Sequence, residues 1–141
     1  MSMRSTVSNI GNGELFETYA IDDSTITYDS TEPNGSAAVG LAVTLSGNDT
    51  VALAADANAI VGKLILVEAD GFCTVQVGGN MTLPGGESAT LTRGTPIVGD
   101  LGADSAKGYI RSAASAQAAE LLVARGQITN VADATAVVVR L

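Results

Sequence analysis

The stretch that decides the fold is residues 60–79, IVGKLILVEADGFCTVQVGG. Two apolar runs meet at Asp70-Gly71, a pair that readily takes the positive-φ geometry of a tight hairpin turn. In the second run Cys73, Val75 and Val77 fall on one face, with Thr74 and Gln76 on the other. That two-residue period marks a half-buried strand. The first run, Leu64-Ile65-Leu66-Val67, is apolar on both faces and is expected deeper in the core. The spacing predicts a central β-hairpin, with further strands completing a core around it.

Working outward, the same grammar recurs. Val39, Leu41, Val43 and Leu45 alternate with smaller or polar residues from position 37. Ser46-Gly47-Asn48-Asp49 then turns the chain into a return strand with Val51 and Leu53 on one face. After the hairpin, residues 80–83 and 88–92 read as short strands separated by Pro84-Gly85-Gly86-Glu87. Residues 96–100 and 108–112 read as two more. A second hairpin closes the chain over 126–130 and 135–141, where Val137-Val138-Val139 is β-branched throughout. It echoes the first, since both have an initial Gly, an Ala-Asp turn and a Val-rich return. Residues 113–125 are ambiguous: the alanines and Gln117 favour helix. The reading taken is a short helical turn with strand from about Glu120, a helix running on to Arg125 being the alternative.

Residues 1–36 read as an extended arm outside the β domain of 37–141. Ser, Thr, Asn, Gly and Asp dominate them, and Glu32-Pro33-Asn34-Gly35 is a strong turn signal. Yet Leu15, Phe16, Tyr19, Ile21, Ile26 and Tyr28 lie there, and an unattached polar tail rarely collects such residues. Either they anchor the arm on a neighbouring molecule or they pack back on the chain's own barrel. The expected class is all-β, with at most one short helix: a small barrel or sandwich of hairpins with an extended N-terminal arm.

With 141 residues, 46% of them apolar and only 4% aromatic, the core is to be built from Val, Leu, Ile and Ala without disulfide or metal. Residues 1–62 hold eight acids against Arg4 alone, whereas 63–141 hold seven acids and six bases. An acidic front half suits docking on a basic protein surface and opposes direct contact with nucleic acid. No run approaches the apolar length that spans a membrane, and the N-terminal residues lack a secretory apolar region, so a soluble chain is expected.

The chain has no histidine, which removes Ser-His and Cys-His nucleophile pairs and His-ligated zinc. The single cysteine, Cys73, sits at an inward strand position and is expected to be an inert core thiol. Asp22-Asp23 point apart in an extended segment, and nothing brings two acids to one cleft. Gly11-Asn12-Gly13 has no strand before it, so it is no phosphate cradle. No catalytic, cofactor or metal residues are expected.

From position 38 onward a further pattern emerges. Ala-Val-Gly-Leu-Ala-Val-Thr-Leu-Ser-Gly-Asn (38–48), Val-Ala-Leu-Ala (51–54), Ile-Val-Gly-Lys-Leu (60–64), Val-Glu-Ala-Asp-Gly (67–71) and Thr-Val-Gln-Val-Gly-Gly (74–79) occur in order. Ile-Val-Gly (97–99), Gly-Tyr-Ile-Arg (108–111), Ala-Arg-Gly (124–126) and the Val-rich C-terminus continue it. Over about its last hundred residues the chain resembles the capsid cement, or head decoration, proteins of tailed bacteriophages; the arm matches nothing in them. The resemblance implies a non-enzymatic virion protein on the outer surface of an icosahedral head. Its partners would be the major capsid protein and itself, as a homotrimer by preference or a homodimer. Residues expected at the shell contact are Leu15, Phe16, Tyr19, Ile21 and Tyr28, with Glu14 and Glu17 facing basic capsid residues. The rival readings are another virion component such as a tail or fibre part, a carbohydrate-binding β module, and an enzyme subunit completed by a partner. Few aromatics and no tryptophan leave little for stacking on sugars.

Overall fold

The computed structural model describes residues 10–87, 90–114 and 116–141. Strands β1 (Leu15–Ile21), β2 (Ala42–Gly47), β3 (Thr50–Leu53), β4 (Gly62–Val67) and β5 (Phe72–Gly78) close into a barrel in the order β1-β3-β2-β4-β5. After them come β6 (Asn80–Leu83), β7 (Ile97–Asp100), β8 (Tyr109–Ser112), helix α1 (Ala118–Val123), β9 (Gln127–Asp133) and β10 (Ala136–Arg140). β6, β10 and β9 form one sheet, and β7 pairs with β8. The chain is all-β with a small barrel and one short helix, as its alternation predicts.

The central hairpin forms where Asp70-Gly71 places it. Gly71 takes φ 87°, the Asp70 carboxylate accepts the Phe72 N–H at 3.1 Å, and the Glu68 N–H donates to the Phe72 carbonyl. Leu64, Val67, Cys73, Val75 and Val77 then line the barrel interior. The double-sided apolarity of β4 has a cause in its register, which shifts between Leu64 and Leu66. That irregularity turns Leu64 and Val67 inward and leaves Ile65 and Leu66 half-buried.

A second core lies behind the barrel. The adjacent residues Ala42 and Val43 of β2 face opposite ways, as strand neighbours must. Val43 joins Leu64, Val75 and Ile21 inside the barrel, while Ala42 joins Met81, Leu83, Ile97, Ile110, Val137 and Val139. One strand thus serves as the shared wall. The wall is thin where it matters: Gly99 and Gly108 bring backbone against backbone, and a Cβ at Gly99 would collide with the Ala55 carbonyl. The Gly108 N–H donates to the Ala54 carbonyl and its own carbonyl accepts the Ala42 N–H.

The N-terminal stretch is the chief correction. Residues 15–21 are a wall of the barrel: β1 pairs antiparallel with β5 over Phe16–Gln76 to Ala20–Phe72, and parallel with β3 at Ala20–Thr50 and Ile21–Val51. Beyond it the Asp22 carboxylate accepts the Thr25 and Ile26 N–H groups and the Ser24 and Thr25 hydroxyls. This loop turns Ile26, fully buried, into the barrel core, and Thr25 Oγ1 accepts the Leu53 N–H at 2.9 Å. Burial pushes the Asp22 carboxyl up, but those donated hydrogen bonds outweigh it and hold the group below its ordinary value. The Glu32-Pro33-Asn34-Gly35 turn is present as a single helical turn, with Gly35 at φ 86° against the Val67 carbonyl. A division between an arm of 1–36 and a domain of 37–141 therefore does not describe the chain, because much of 10–36 is packed into the barrel; residues 1–9 lie outside the described residues.

Three smaller expectations also change. The strand expected from position 37 begins only at Ala42, since 37–40 turn over the barrel end. The piece at 88–92 falls partly outside the described residues, and 90–92 is not strand. Glu120 opens no strand; it lies in α1.

Burial separates the two roles of β1, and substitution should show it. Ile21→Ala is expected to cost about 2–5 kcal/mol of unfolding free energy, whereas Leu15→Ala should stay within about 0.5 kcal/mol, both read from urea midpoints. Equal effects at the two positions would mean that β1 is not seated in the barrel.

Candidate interaction surface

The expected contact residues are divided by the fold. Leu15, Phe16 and Tyr28 are exposed at 57%, 46% and 44%, and Glu14 and Glu17 are exposed too. Tyr19 is half-buried against the barrel core, and its hydroxyl donates to the Glu17 carboxylate. That hydrogen bond, with burial, raises the Tyr19 pKa. Ile21 is a correction: at 6% exposure it belongs to the core and has no surface to offer. Tyr28 is set against Gly35 and the Val67 end of β4. Leu15 pairs with Gly78, whereas Val67 pairs with Cys73, five residues away along β5. At about 3.4 Å per residue Tyr28 is therefore remote from Leu15 and Phe16. The fold brings Glu14, Leu15, Phe16 and Glu17 to the exposed end of β1, with Phe16 on the outer sheet face and Leu15 and Glu17 on the other, and leaves Tyr28 away from them.

The structure adds exposed apolar residues that the sequence pattern did not single out. Phe72, 48% exposed, sits opposite Ala20 and lies on the same outer sheet face as Phe16 and Thr18. Its signal was an aromatic placed directly after a turn, at a position out of phase with Cys73, Val75 and Val77. On α1, Leu121, Leu122 and Val123 are exposed at 46%, 87% and 41%. The composition of 113–125 suits helix and strand alike, so no periodicity there marks them as outward.

Electrostatics differ sharply between the two parts of the molecule. Residues 10–79 contain ten acids and one base, Lys63; residues 80–141 contain five of each. Among the described residues only Asp56 of those ten acids reaches a base, Arg111 at 3.1 Å. Lys63 lies on the outer face next to Gln76, which itself pairs with Phe16. Burial without a counter-ion pulls its ammonium below the ordinary value. The barrel thus presents a strongly negative field with Leu15, Phe16 and Phe72 exposed on it.

In the other lobe two arginines position α1. Arg111 on β8 forms a two-pronged pair with Glu120 of α1, at 2.6 and 2.9 Å, and also reaches Asp56. Asp100 lies 3.9 Å from its Nε. Glu120 also accepts the Ala114 N–H at 2.9 Å. Because α1 buries none of its own residues, this clamp is what fixes it. Arg125, just after α1, donates to the Val61 and Val77 carbonyls at 2.8 and 2.7 Å and so ties the helix end to the barrel.

No group of three or more Cys, Asp or Glu side chains among the described residues is arranged to hold a metal ion. Cys73 is 2% exposed, and burial raises its thiol pKa against the pull of the Tyr19 N–H. The Thr95 and Ser112 hydroxyls at the base of one surface depression bond each other at 2.7 Å. Among the described residues, no helix is long and apolar enough to cross a membrane.

No family model, no curated protein and no solved structure matches the chain.

The Arg111 pair, with the Ala114 N–H, holds the Glu120 carboxyl at a pKa of about 2, against 4.5 ordinarily. A depressed carboxylate contributes its stabilisation fully above the ordinary value and loses it as pH falls through the folded one. The α1 clamp should therefore remain intact at pH 4 and open only as pH approaches about 2. NMR titration of the Glu120 side-chain carboxyl checks this; a midpoint near 4.5 would contradict the clamp.

Proposed function

We propose that the chain is a structural virion protein, a cement or decoration protein that binds the outer surface of an icosahedral phage head and stabilises contacts between major capsid subunits. It acts without catalysis or cofactor, as a homo-oligomer, trimeric by preference or dimeric, with no direct contact to nucleic acid or membrane. The observation that carries this reading is the charge of the barrel part of the chain, nine acids without a basic partner among the described residues, together with the exposed Leu15, Phe16 and Phe72 on β1 and β5. Such a surface fits a basic protein face better than a small molecule. The cement-like run of residues from position 38 supports the same reading. Binding at many symmetry-related sites would compensate for a small area at each one.

The test uses heads of the encoding phage assembled without the protein. Added protein should co-sediment with them to a saturating number of copies set by the capsid symmetry. Binding should weaken at high salt, because exposed charges are screened. A Glu14→Lys and Glu17→Lys double variant should bind about tenfold more weakly, whereas Asp104→Lys on the neutral lobe should bind as the parent does. Failure to bind heads, with recovery of the protein in tails or on a glycan surface, would overturn the proposal.

A further inference from the structure

β1 is longer than the neighbour that closes the barrel beside it. Against β5 it pairs from Leu15 to Ala20, but against β3 only at Ala20 and Ile21. The hydrogen bonds fix which way each residue points. Ala20 and Asp22 donate their N–H groups towards β3, to the Asp49 and Val51 carbonyls at 2.8 and 3.1 Å. Ile21 donates the other way, to the Gly71 carbonyl at 3.0 Å. Backbone direction alternates along a strand, so Thr18 and Phe16 share the direction of Ala20 while Glu17 and Tyr19 face β5. The β2–β3 turn ends beside Ala20, and residues 15–18 are all exposed. Among the described residues, the N–H and C=O groups of Phe16 and Thr18 thus form a short open sheet edge, about 7 Å long.

Open edges are sites for strand addition, and proteins usually guard them with charge, commonly lysine. Here the guard is acidic: Glu14 and Glu17 flank the edge and Asp49 closes its end. We propose that this edge of β1, residues 15–19, receives an extended strand of the capsid partner by backbone pairing. The proposal rests on the head-binding reading above. The alternation of β1 sets the chemistry of the incoming strand. Positions beside Phe16 lie on the outer face and take apolar residues; positions beside Leu15 and Glu17 lie on the other face and take Lys or Arg. A second copy's barrel is a poor occupant, since it brings ten more acids and a single base. Main-chain pairing supplies affinity, and the alternating side chains supply selection.

The test titrates the full-length protein with a capped alternating Lys-Val peptide of about ten residues, followed by amide NMR, with a Glu-Val peptide as the counterpart. Phe16, Thr18 and Asp49 should shift most, and the Glu-Val peptide should not bind. Thr18→Pro deletes the outward N–H yet leaves the β5 ladder untouched, because proline is tolerated at an edge position. It should weaken binding about tenfold, while Thr18→Ala, which keeps the N–H, should not. If Thr18→Pro does not fold, Glu17→Lys leaves the backbone in place and must weaken the Lys-Val peptide at least severalfold. Undiminished binding by the folded Thr18→Pro variant, or shifts centred on Leu122 of α1, would overturn the proposal. Head binding that survives Thr18→Pro would end the edge assignment and leave the head-binding reading standing. Peptide pairing at the edge without head binding would do the reverse.

Discussion

Closure of the barrel depends on β1 being held between two strands far apart in the sequence. A strand with partners on both sides leaves no edge, and it can turn one face fully inward. β1 meets this condition over only part of its length. At its C-terminal end it has β5 on one side and β3 on the other, and there Ile21 is buried with Ile26, Val51 and Val67. At its N-terminal end its one strand partner among the described residues is β5, and Leu15 and Phe16 are exposed. One strand is therefore structural at one end and available at the other. The Asp22 loop makes the difference, since its hydrogen bonds fold the following residues onto β3 and hold the seated end in place.

The remainder of the molecule supports that arrangement from behind. β2 carries Val43 into the barrel and Ala42 into the second core, so the two cores cannot slide independently. Arg125 donates to the carbonyls of Val61, just before β4, and Val77, near the end of β5, and Arg111 holds α1 through Glu120. Two of the neutral lobe's five basic side chains are thus committed to structure, Arg111 to α1 and Arg125 to the barrel. Nine of the ten acids of residues 10–79 have no basic partner among the described residues, so their charge is not neutralised. Rigid backing and an unneutralised front suit the adhesive role proposed above, because little ordering would remain to be done on binding.

Local pattern made the two hairpins legible. Asp70-Gly71 and the alternation of Cys73, Val75 and Val77 specify β4–β5 without any distant partner, and the Val-rich return specifies β10 in the same way. β1 was less legible because both its faces are mixed, Phe16, Thr18 and Ala20 outward and Leu15, Glu17, Tyr19 and Ile21 inward, and its partner β5 lies more than fifty residues later. Aromatics in a polar stretch looked like anchors for another molecule. For Phe16 the exposure agrees with that reading, but Ile21 faces the core. Leu121-Leu122-Val123 suits strand or helix by composition. Arg111, nine residues before Glu120, decides for helix, and no spacing rule reveals such a pair. Val39 and Leu41 continue the alternation ahead of β2, but Gly40, at φ 97°, is in a turn, so the strand begins only at Ala42.

Amide hydrogen exchange of the free protein along residues 16–21 tests the account most directly, since each amide there has an assigned direction. Protection should alternate: Glu17, Tyr19, Ala20 and Ile21 slow, Phe16 and Thr18 fast. Uniform protection across all six would mean that the edge is already covered, and uniformly fast exchange would mean that β1 is not part of the barrel at all.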